Sequence, residues 1–391
     1  MLGTAFSPWP SFTPEEVDGV SRVLSSNKVN YWTGTECREF EKEFAAWCGT
    51  PHAVSVANGT LAIDLAWKVL GIGAGDEVIV TPRTFLASAT SIINSGAVPV
   101  FADVDADSQL ITPETAARVI TRKTKAILCV HLAGWPCNMD GFRVLAKHHN
   151  LFLVEDCAQA HGAKFNGVAV GALSDFAAWS FCQDKIMTTG GEGGMVTMHS
   201  KDYWSRAWSY KDHGKSWEAV YQRQHPPGFR WVHESVGTNW RMLEMQAVIG
   251  RIQLKRMAAW TAARAKNAHQ IFDAARRSSA LHVPEIPNSI THGFYKAYVF
   301  AKPEALKSGW SRDRIVHEIS AKGVPCYQGT CSEIYLEKAF DHAPGRPAER
   351  LPVAKQLGET SIMFMVHPTL KSVEISKTAE VLSSVMREAR R

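Results

Sequence analysis

Three short polar motifs of the chain each follow an apolar run, and their residue types could together carry out amine chemistry. The first motif, Asn58-Gly59-Thr60, follows the apolar run 52–57 and opens a helical pattern. Free backbone N–H groups at a helix start, a glycine that permits close approach and a hydroxyl can together seat a phosphate group. Taken alone, the motif is more often an ordinary asparagine helix cap.

The other two motifs supply a carboxylate and an amine. Asp156 follows the apolar run 151–154, where a buried carboxylate without a partner would be costly. Lys185 follows the run 176–181 and precedes a turn that is rich in glycine. Separately, Asp156 could cap a turn and Lys185 could be a surface residue. Together with the phosphate seat they match a pyridoxal phosphate site, where a lysine forms a Schiff base and an aspartate keeps the pyridinium nitrogen protonated.

The elements that position these motifs predict a doubly wound α/β sheet. Continuous Val, Ile and Leu runs alternate with helical patterns, which is typical of parallel strands buried on both faces. Ligands bind outside the carboxyl ends of such strands, where all three motifs fall. The runs lie at residues 52–57, 77–80, 98–101, 126–130 and 151–154.

The second part of the chain predicts a smaller α+β unit. The strand signal fades after about residue 200, and one long helical pattern without proline runs over residues 242–275. A strand at 294–300 and helices at 312–321 and 377–390 follow. We therefore predict a large domain over residues 12–250 and a C-terminal domain over 251–391, against which residues 1–11 could pack.

Composition excludes several classes of protein. With 391 residues, 45% of them hydrophobic and 21% charged, the chain is neither disordered nor a small disulfide scaffold. A net charge of +5 is too small to indicate a nucleic-acid or membrane partner, although a small anionic substrate is allowed. The start does not resemble a signal peptide, and the eight cysteines form no C-x-x-C pair or metal-ligand spacing. These features predict a cytoplasmic protein with reduced thiols and no metal.

Several motifs in order resemble the DegT/DnrJ/EryC1/StrS family of sugar aminotransferases, a branch of the fold-type-I pyridoxal phosphate enzymes. The resemblance extends over about residues 32–367 and implies a mostly parallel seven-stranded sheet flanked by helices. It also implies that pyridoxal phosphate and its pyridoxamine form are the cofactor. The motifs that carry it are 57–60, Thr84-Phe85, 99–104, 155–162, Ser180-Phe181 with Lys185, 191–194 and 237–242.

The resemblance implies a role for four residues around the cofactor ring. Lys185 would hold the cofactor covalently and move the substrate proton, and Asp156 would pair with the ring nitrogen. Phe85 would stack on the ring face, and Gln159 would lie near the ring hydroxyl. Residues 132–133 and 183–184 depart from the commonest family pattern, and we expect both departures to affect substrate choice.

The resemblance also implies how the phosphate is bound. Gly59, Thr60 and Ser180 would bind it, with help from Asn239 of the other subunit. A role for Asn239 across subunits implies a homodimer with both active sites at the interface.

Substrate contacts are less constrained by the sequence. His161, His213 and Tyr327, in the second lobe, are candidates, although a satisfied buried histidine explains His161 and a turn residue explains His213 equally well. We expect transfer of an amino group from glutamate to a nucleotide-diphosphate-linked keto-deoxysugar, a 4-keto-6-deoxyhexose, for surface polysaccharide or glycoconjugate synthesis. Two alternatives are a sugar dehydratase, whose family members carry histidine in place of Lys185, and a sensor that binds the cofactor without catalysis.

Overall fold

A computed structural model describes residues 6–228 and 230–391 and contains the expected central sheet. In chain order the strands are β1 His52–Val56, β2 Glu77–Val80, β3 Val98–Phe101, β4 Thr124–Val130, β5 Phe152–Asp156, β6 Lys164–Phe165, β7 Val168–Ala169, β8 Phe176–Ser180, β9 Gly194–Met198, β10 Leu281–His282, β11 Ile290–Thr291, β12 Ala297–Ala301, β13 Cys326–Tyr327 and β14 Ser361–Phe364. The helices are α1 Pro14–Ser25, α2 Glu36–Cys48, α3 Gly59–Leu70, α4 Ala87–Asn94, α5 Pro113–Ala117, α6 Met139–His149, α7 Lys201–Lys211, α8 Trp217–Tyr221, α9 Glu244–Leu254, α10 Met257–Arg276, α11 Arg312–Ala321, α12 Pro352–Thr360 and α13 Ser372–Ala389.

The large sheet has seven strands in the order β1-β9-β8-β5-β4-β2-β3. Strand β9 is antiparallel to both of its neighbours, and the other six strands run in one direction. The carboxyl ends of β1, β2, β5 and β8 therefore meet at one edge. Val54 of β1, Val154 of β5 and Val196 of β9 are fully buried, as continuous apolar runs require. The predicted fold class is confirmed.

A smaller antiparallel sheet follows, with the strand order β10-β12-β14-β13. It packs with α10, α11 and α13 around a second apolar core, which includes Ile315, Ile362 and Leu382. Phe6 packs against this core, and the backbone N–H of Ser7 donates to Glu374 of α13 at 2.6 Å. Helix α10 connects the apolar core of the large sheet with this second core. The predicted domain boundary between residues 250 and 251 stays a prediction.

Three predicted elements differ from the structure. The terminal helix expected at 377–390 already begins at Ser372 and ends at Ala389. The prediction of a single helix over residues 242–275 is wrong, because a turn at Lys255 and Arg256 separates α9 from α10. The Arg256 guanidinium lies 2.7 Å from both Glu15 and Glu16 of α1, so these ion pairs hold the chain at the turn without a proline.

The strand expected at 294–300 begins only at Ala297. Phe294 has a φ of 47°, and the N–H of Tyr295 donates to the carbonyl of Ala133 at 2.8 Å instead of joining a ladder. This irregular segment brings Tyr295 beside the edge of the large sheet.

None of the described helices combines the length and the apolar character that crossing a bilayer would require.

Candidate active site

A cavity of about 530 Å³ opens at the edge of the large sheet where the parallel strands end. The turn after β2, the start of α3, and the ends of β5 and β8 form its walls. Seven of the predicted site residues line it: Gly59, Thr60, Phe85, Asp156, Gln159, Ser180 and Lys185. Residues far apart in the chain therefore meet in one place because their strands end at the same edge.

Lys185 lies in the turn that follows β8. Its N–H donates to the carbonyl of Cys182 at 3.0 Å, and its own carbonyl accepts from the indole N–H of Trp9 at 2.8 Å. The side chain is 15% exposed, and its Nζ lies 3.5 Å from Oδ1 of Asp184. Both backbone groups are thus anchored, while the amine stays accessible from the cavity.

Asp156 is the last residue of β5 and is buried. Its Oδ2 accepts from the Ser88 hydroxyl at 2.8 Å, and its Oδ1 accepts from the Ala158 N–H at 3.1 Å. Thr84 lies 2.9 Å from Ser88, oxygen to oxygen. Burial raises the pKa of Asp156, although the two hydrogen bonds and the charge of Lys185 oppose the rise. A carboxylate held this way suits a protonated ring nitrogen, which would supply the missing positive charge.

The phosphate seat consists of the first residues of α3 and the hydroxyl of Ser180. Asn58 caps the helix by accepting the N–H of Leu61 at 3.0 Å, which leaves the N–H groups of Gly59 and Thr60 directed outward. A Cβ at Gly59 would lie only 2.5 Å from that of Ser180. The close approach therefore requires glycine, and the seat fits a phosphate group.

Gln159 and Phe85 lie at the sides of the cavity. The Oε1 of Gln159 accepts from the N–H of Ala133 at 2.9 Å, so its amide NH₂ is the donor that remains for a ligand oxygen. Ala133 has a φ of 59°, and its turn aims this N–H at Gln159. Phe85 is 67% exposed, which leaves one ring face free for stacking.

Four predicted residues do not line the cavity of their own chain. Asn239 and His213 are exposed in the segment around Asp212, and Tyr327 is exposed on the smaller sheet. His161 is completely buried, with ring centroids 5.1 Å from Trp179 and 5.6 Å from Phe181. Burial lowers the pKa of His161 to about 3. Both ring nitrogens of His161 are buried without a hydrogen-bond partner among the described residues, so a substrate contact of His161 stays a prediction.

Sequence reasoning missed the side chains that orient the predicted ones. Ser88 lies in α4, four residues after Thr84, and this spacing of two hydroxyls after β2 was a signal that they could bond each other and orient Asp156. Trp9 and Tyr295 carried no such signal, because they reach the site from segments far from Lys185 in the chain.

One group of described residues has metal-ligand atoms close together: His131, Glu155 and Cys157, within 4.8 Å. Glu155 already accepts from His131 at 3.0 Å, from Ser174 at 2.7 Å and from two backbone N–H groups. The other ring nitrogen of His131 accepts the N–H of Cys137 at 3.0 Å. These atoms bind the loop after β7 to the sheet, and the arrangement does not indicate a metal site.

Comparisons with known proteins agree with this geometry. The model of the DegT/DnrJ/EryC1/StrS aminotransferase family matches residues 10–383. An aminotransferase from Psychrobacter cryohalolentis has a crystal structure with a TM-score of 0.97 and 59% identity, covering 98% of this chain and 99% of that chain. GDP-perosamine synthase of Escherichia coli O157:H7 is 31% identical over 96% of each chain.

A third relative is named as an enzyme that aminates a UDP-linked sugar. This UDP-N-acetyl-3-dehydro-alpha-D-glucosamine 3-aminotransferase of Acidithiobacillus ferrooxidans is 33% identical over 94% of this chain and 93% of its own. The matches confirm the expected aminotransferase activity and cofactor. The chain therefore belongs to the DegT/DnrJ/EryC1/StrS aminotransferase family, whose members depend on pyridoxal phosphate.

Proposed function

We propose that this aminotransferase transfers an amino group from glutamate to a nucleotide-diphosphate-linked 4-keto-6-deoxyhexose. The observation that carries the proposal is the meeting of Lys185, Asp156 and the phosphate seat in one cavity. Relatives named for GDP- and UDP-linked sugars support the substrate class. The proposed setting is the cytoplasm, and the proposed product is used for surface polysaccharide or glycoconjugate.

In this proposal Lys185 and Asp156 hold the two ends of the reacting part of the cofactor. Pyridoxal phosphate, when bound, supplies an electron sink for the carbon that loses its proton. The Nζ of Lys185 attaches the cofactor and, when released, moves a proton as a general acid and base. The carboxylate of Asp156 keeps a proton on the ring nitrogen, and Ser88 and Ala158 fix both of its oxygens for this task.

The remaining cavity residues orient the cofactor. The N–H groups of Gly59 and Thr60 and the Ser180 hydroxyl bind the phosphate. Gln159 donates to the ring hydroxyl oxygen, since its Oε1 is already occupied by Ala133. Phe85 covers one face of the ring and excludes water from it.

The test of the catalytic role is Lys185→Ala, compared with Lys185→Arg, which keeps a cation beside Asp184. Both variants should lose the absorbance of covalently bound cofactor and all turnover while they keep the wild-type fold by circular dichroism. Turnover close to wild type in either variant would refute the role of Lys185.

The substrate is tested with purified enzyme, glutamate and a panel of nucleotide-linked 3-keto and 4-keto sugars. We expect glutamate-dependent amination of a 4-keto-6-deoxyhexose, and a crystal soaked with its amino product should show the sugar at Lys185. Amination of a 3-keto sugar alone would refute the 4-keto assignment. Loss of water without use of glutamate would indicate a dehydratase, and cofactor binding without conversion by any amino donor would indicate a sensor.

We also propose a homodimer in which each chain completes the other's site. Asn239 is outside the cavity of its own chain, and exposed apolar side chains lie near it, including Trp231 at 84% and Val236 at 91% exposure. Burial of these side chains by a second copy would stabilise the dimer. Sedimentation should give a dimer, and Asn239→Ala should weaken cofactor binding about tenfold through the loss of one bond to a charged group. A fully active monomer would refute this arrangement.

A further inference from the structure

Asp184 directly precedes Lys185 and places a carboxylate beside its amine. The Oδ1 of Asp184 lies 3.5 Å from the Nζ of Lys185, and the Asp184 side chain is 52% exposed at the cavity. Burial alone would raise the pKa of Asp184, but Lys185, the Tyr295 hydroxyl and Lys296 together lower it. Asp184 is therefore an anion next to the amine.

Tyr295 fixes the other oxygen of this carboxylate. Its hydroxyl donates to Oδ2 of Asp184, and the Lys185 Nζ lies 5.3 Å from the centroid of its ring. Burial and the neighbouring carboxylate raise the pKa of Tyr295, so the hydroxyl keeps the proton that it donates. The backbone of Tyr295 is held in turn by the carbonyl of Ala133. One oxygen of Asp184 is thus anchored to the protein while the other faces Lys185.

We propose that Asp184, fixed by the Tyr295 hydroxyl, is a positioning residue that holds the Lys185 Nζ toward the cavity and places a negative charge beside that nitrogen. The inference rests on the proposed role of Lys185. The carboxylate would act both when the nitrogen is bonded to the cofactor and when it is a free amine, because its position depends on Tyr295 rather than on the ligand.

Other charged or titratable groups also face this amine. Asp156 and His161 approach it from β5 and the turn after β5, Cys182 from the end of β8, and Lys296 from the segment before β12. All four remain in place when Asp184 alone is changed. Because Asp184 also raises the pKa of Lys296, which burial lowers to about 8, the difference between wild type and an Asp184 variant measures this carboxylate together with its effect on Lys296.

The experiment measures the pH midpoint of the absorbance change of the bound cofactor in the holoenzyme. An anion near a nitrogen stabilises its positive form, so Asp184→Asn should move the midpoint to lower pH, by about half a unit for a half-exposed pair. Tyr295→Phe should move it the same way by less, and the double variant should match Asp184→Asn, since Tyr295 acts through Asp184. Asp184→Glu should restore most of the shift.

Asp202→Asn on α7 is the matched control, because it removes an exposed carboxylate whose partner is Arg206. It should leave the midpoint unchanged. The proposal is overturned if Asp184→Asn has the wild-type midpoint, or if it only lowers the melting temperature and cofactor affinity. These outcomes are distinct from failure of the proposed function, in which Lys185→Ala would keep the absorbance of covalently bound cofactor.

Discussion

Ser88→Ala is the substitution that best tests how the site holds its buried carboxylate. Ser88 is buried in α4 and donates to Oδ2 of Asp156 at 2.8 Å. Alanine removes this donor and leaves the space nearly unchanged. Asp156 then keeps only the Ala158 N–H on its other oxygen.

The expected size of the change in pH profile and cofactor affinity follows from the type of hydrogen bond that is lost. A hydrogen bond to a charged group contributes about 1.5–3 kcal/mol, and about 1.4 kcal/mol corresponds to one pH unit or a tenfold change in affinity. Because Ala158 still binds Asp156, we expect the lower end of this range. The pKa of Asp156, already raised by burial, rises further in the variant. The acid limb of the activity profile should therefore move up by about one pH unit, and cofactor affinity should fall about tenfold.

The assay is the pH profile of kcat/KM together with a cofactor titration, and Ser91→Ala is the control. Ser91 is also buried in α4, but its hydroxyl accepts from the Trp67 indole at 3.1 Å and does not touch Asp156. Loss of the Ser91 hydroxyl should lower the free energy of unfolding by about 1–3 kcal/mol, because the Trp67 indole N–H is left without an acceptor. The acid limb of the activity profile should not move. An unchanged acid limb in Ser88→Ala, or the same shift in Ser91→Ala, would refute the reasoning.

Three further changes test other parts of the molecule. Gly59→Ala should weaken cofactor binding at least tenfold in a titration, since its Cβ would lie 2.5 Å from that of Ser180. The control is Gly73→Ala, whose Cβ would have its nearest atom at 3.5 Å, and this variant should bind the cofactor normally. Asp156→Ala should reduce turnover strongly, and unchanged rates would remove its role. Asp103→Ala should lower the free energy of unfolding by about 1–2 kcal/mol in a urea titration, because Asp103 accepts two N–H groups at the start of α12, at 3.0 and 2.9 Å.

The sequence was sufficient where one element determines a side chain's position. The parallel strands follow from continuous apolar runs, and their common carboxyl edge follows from their direction. Asp156 and Lys185 could be assigned to that edge because each comes directly after such a run. The helix cap at Asn58 could be predicted in the same way, since its side chain bonds the first turn of α3 and depends only on neighbouring residues.

Prediction failed where distant charges or irregular backbone decide the structure. No pattern within residues 242–275 could indicate that Arg256 binds Glu15 and Glu16 and divides the helix. Nor could residues 294–300 indicate that Tyr295 would leave the strand to bond with Ala133. Helical and strand periodicity describe local burial, whereas these contacts depend on the completed tertiary structure.

The burial of Asp156 connects cofactor binding with stability. Since its pKa in the folded protein is raised above that of the unfolded chain, this group favours folding at low pH, and the benefit is lost as pH rises through the raised value. Above that raised pKa the ionised Asp156 therefore opposes folding, although its hydrogen bonds and the charge of Lys185 reduce this cost. In the proposed pairing, a protonated ring nitrogen would reverse that sign, so cofactor binding would both complete the catalytic site and remove an electrostatic cost at the edge of the sheet. In this proposal the same carboxylate couples the stability of the fold to cofactor binding.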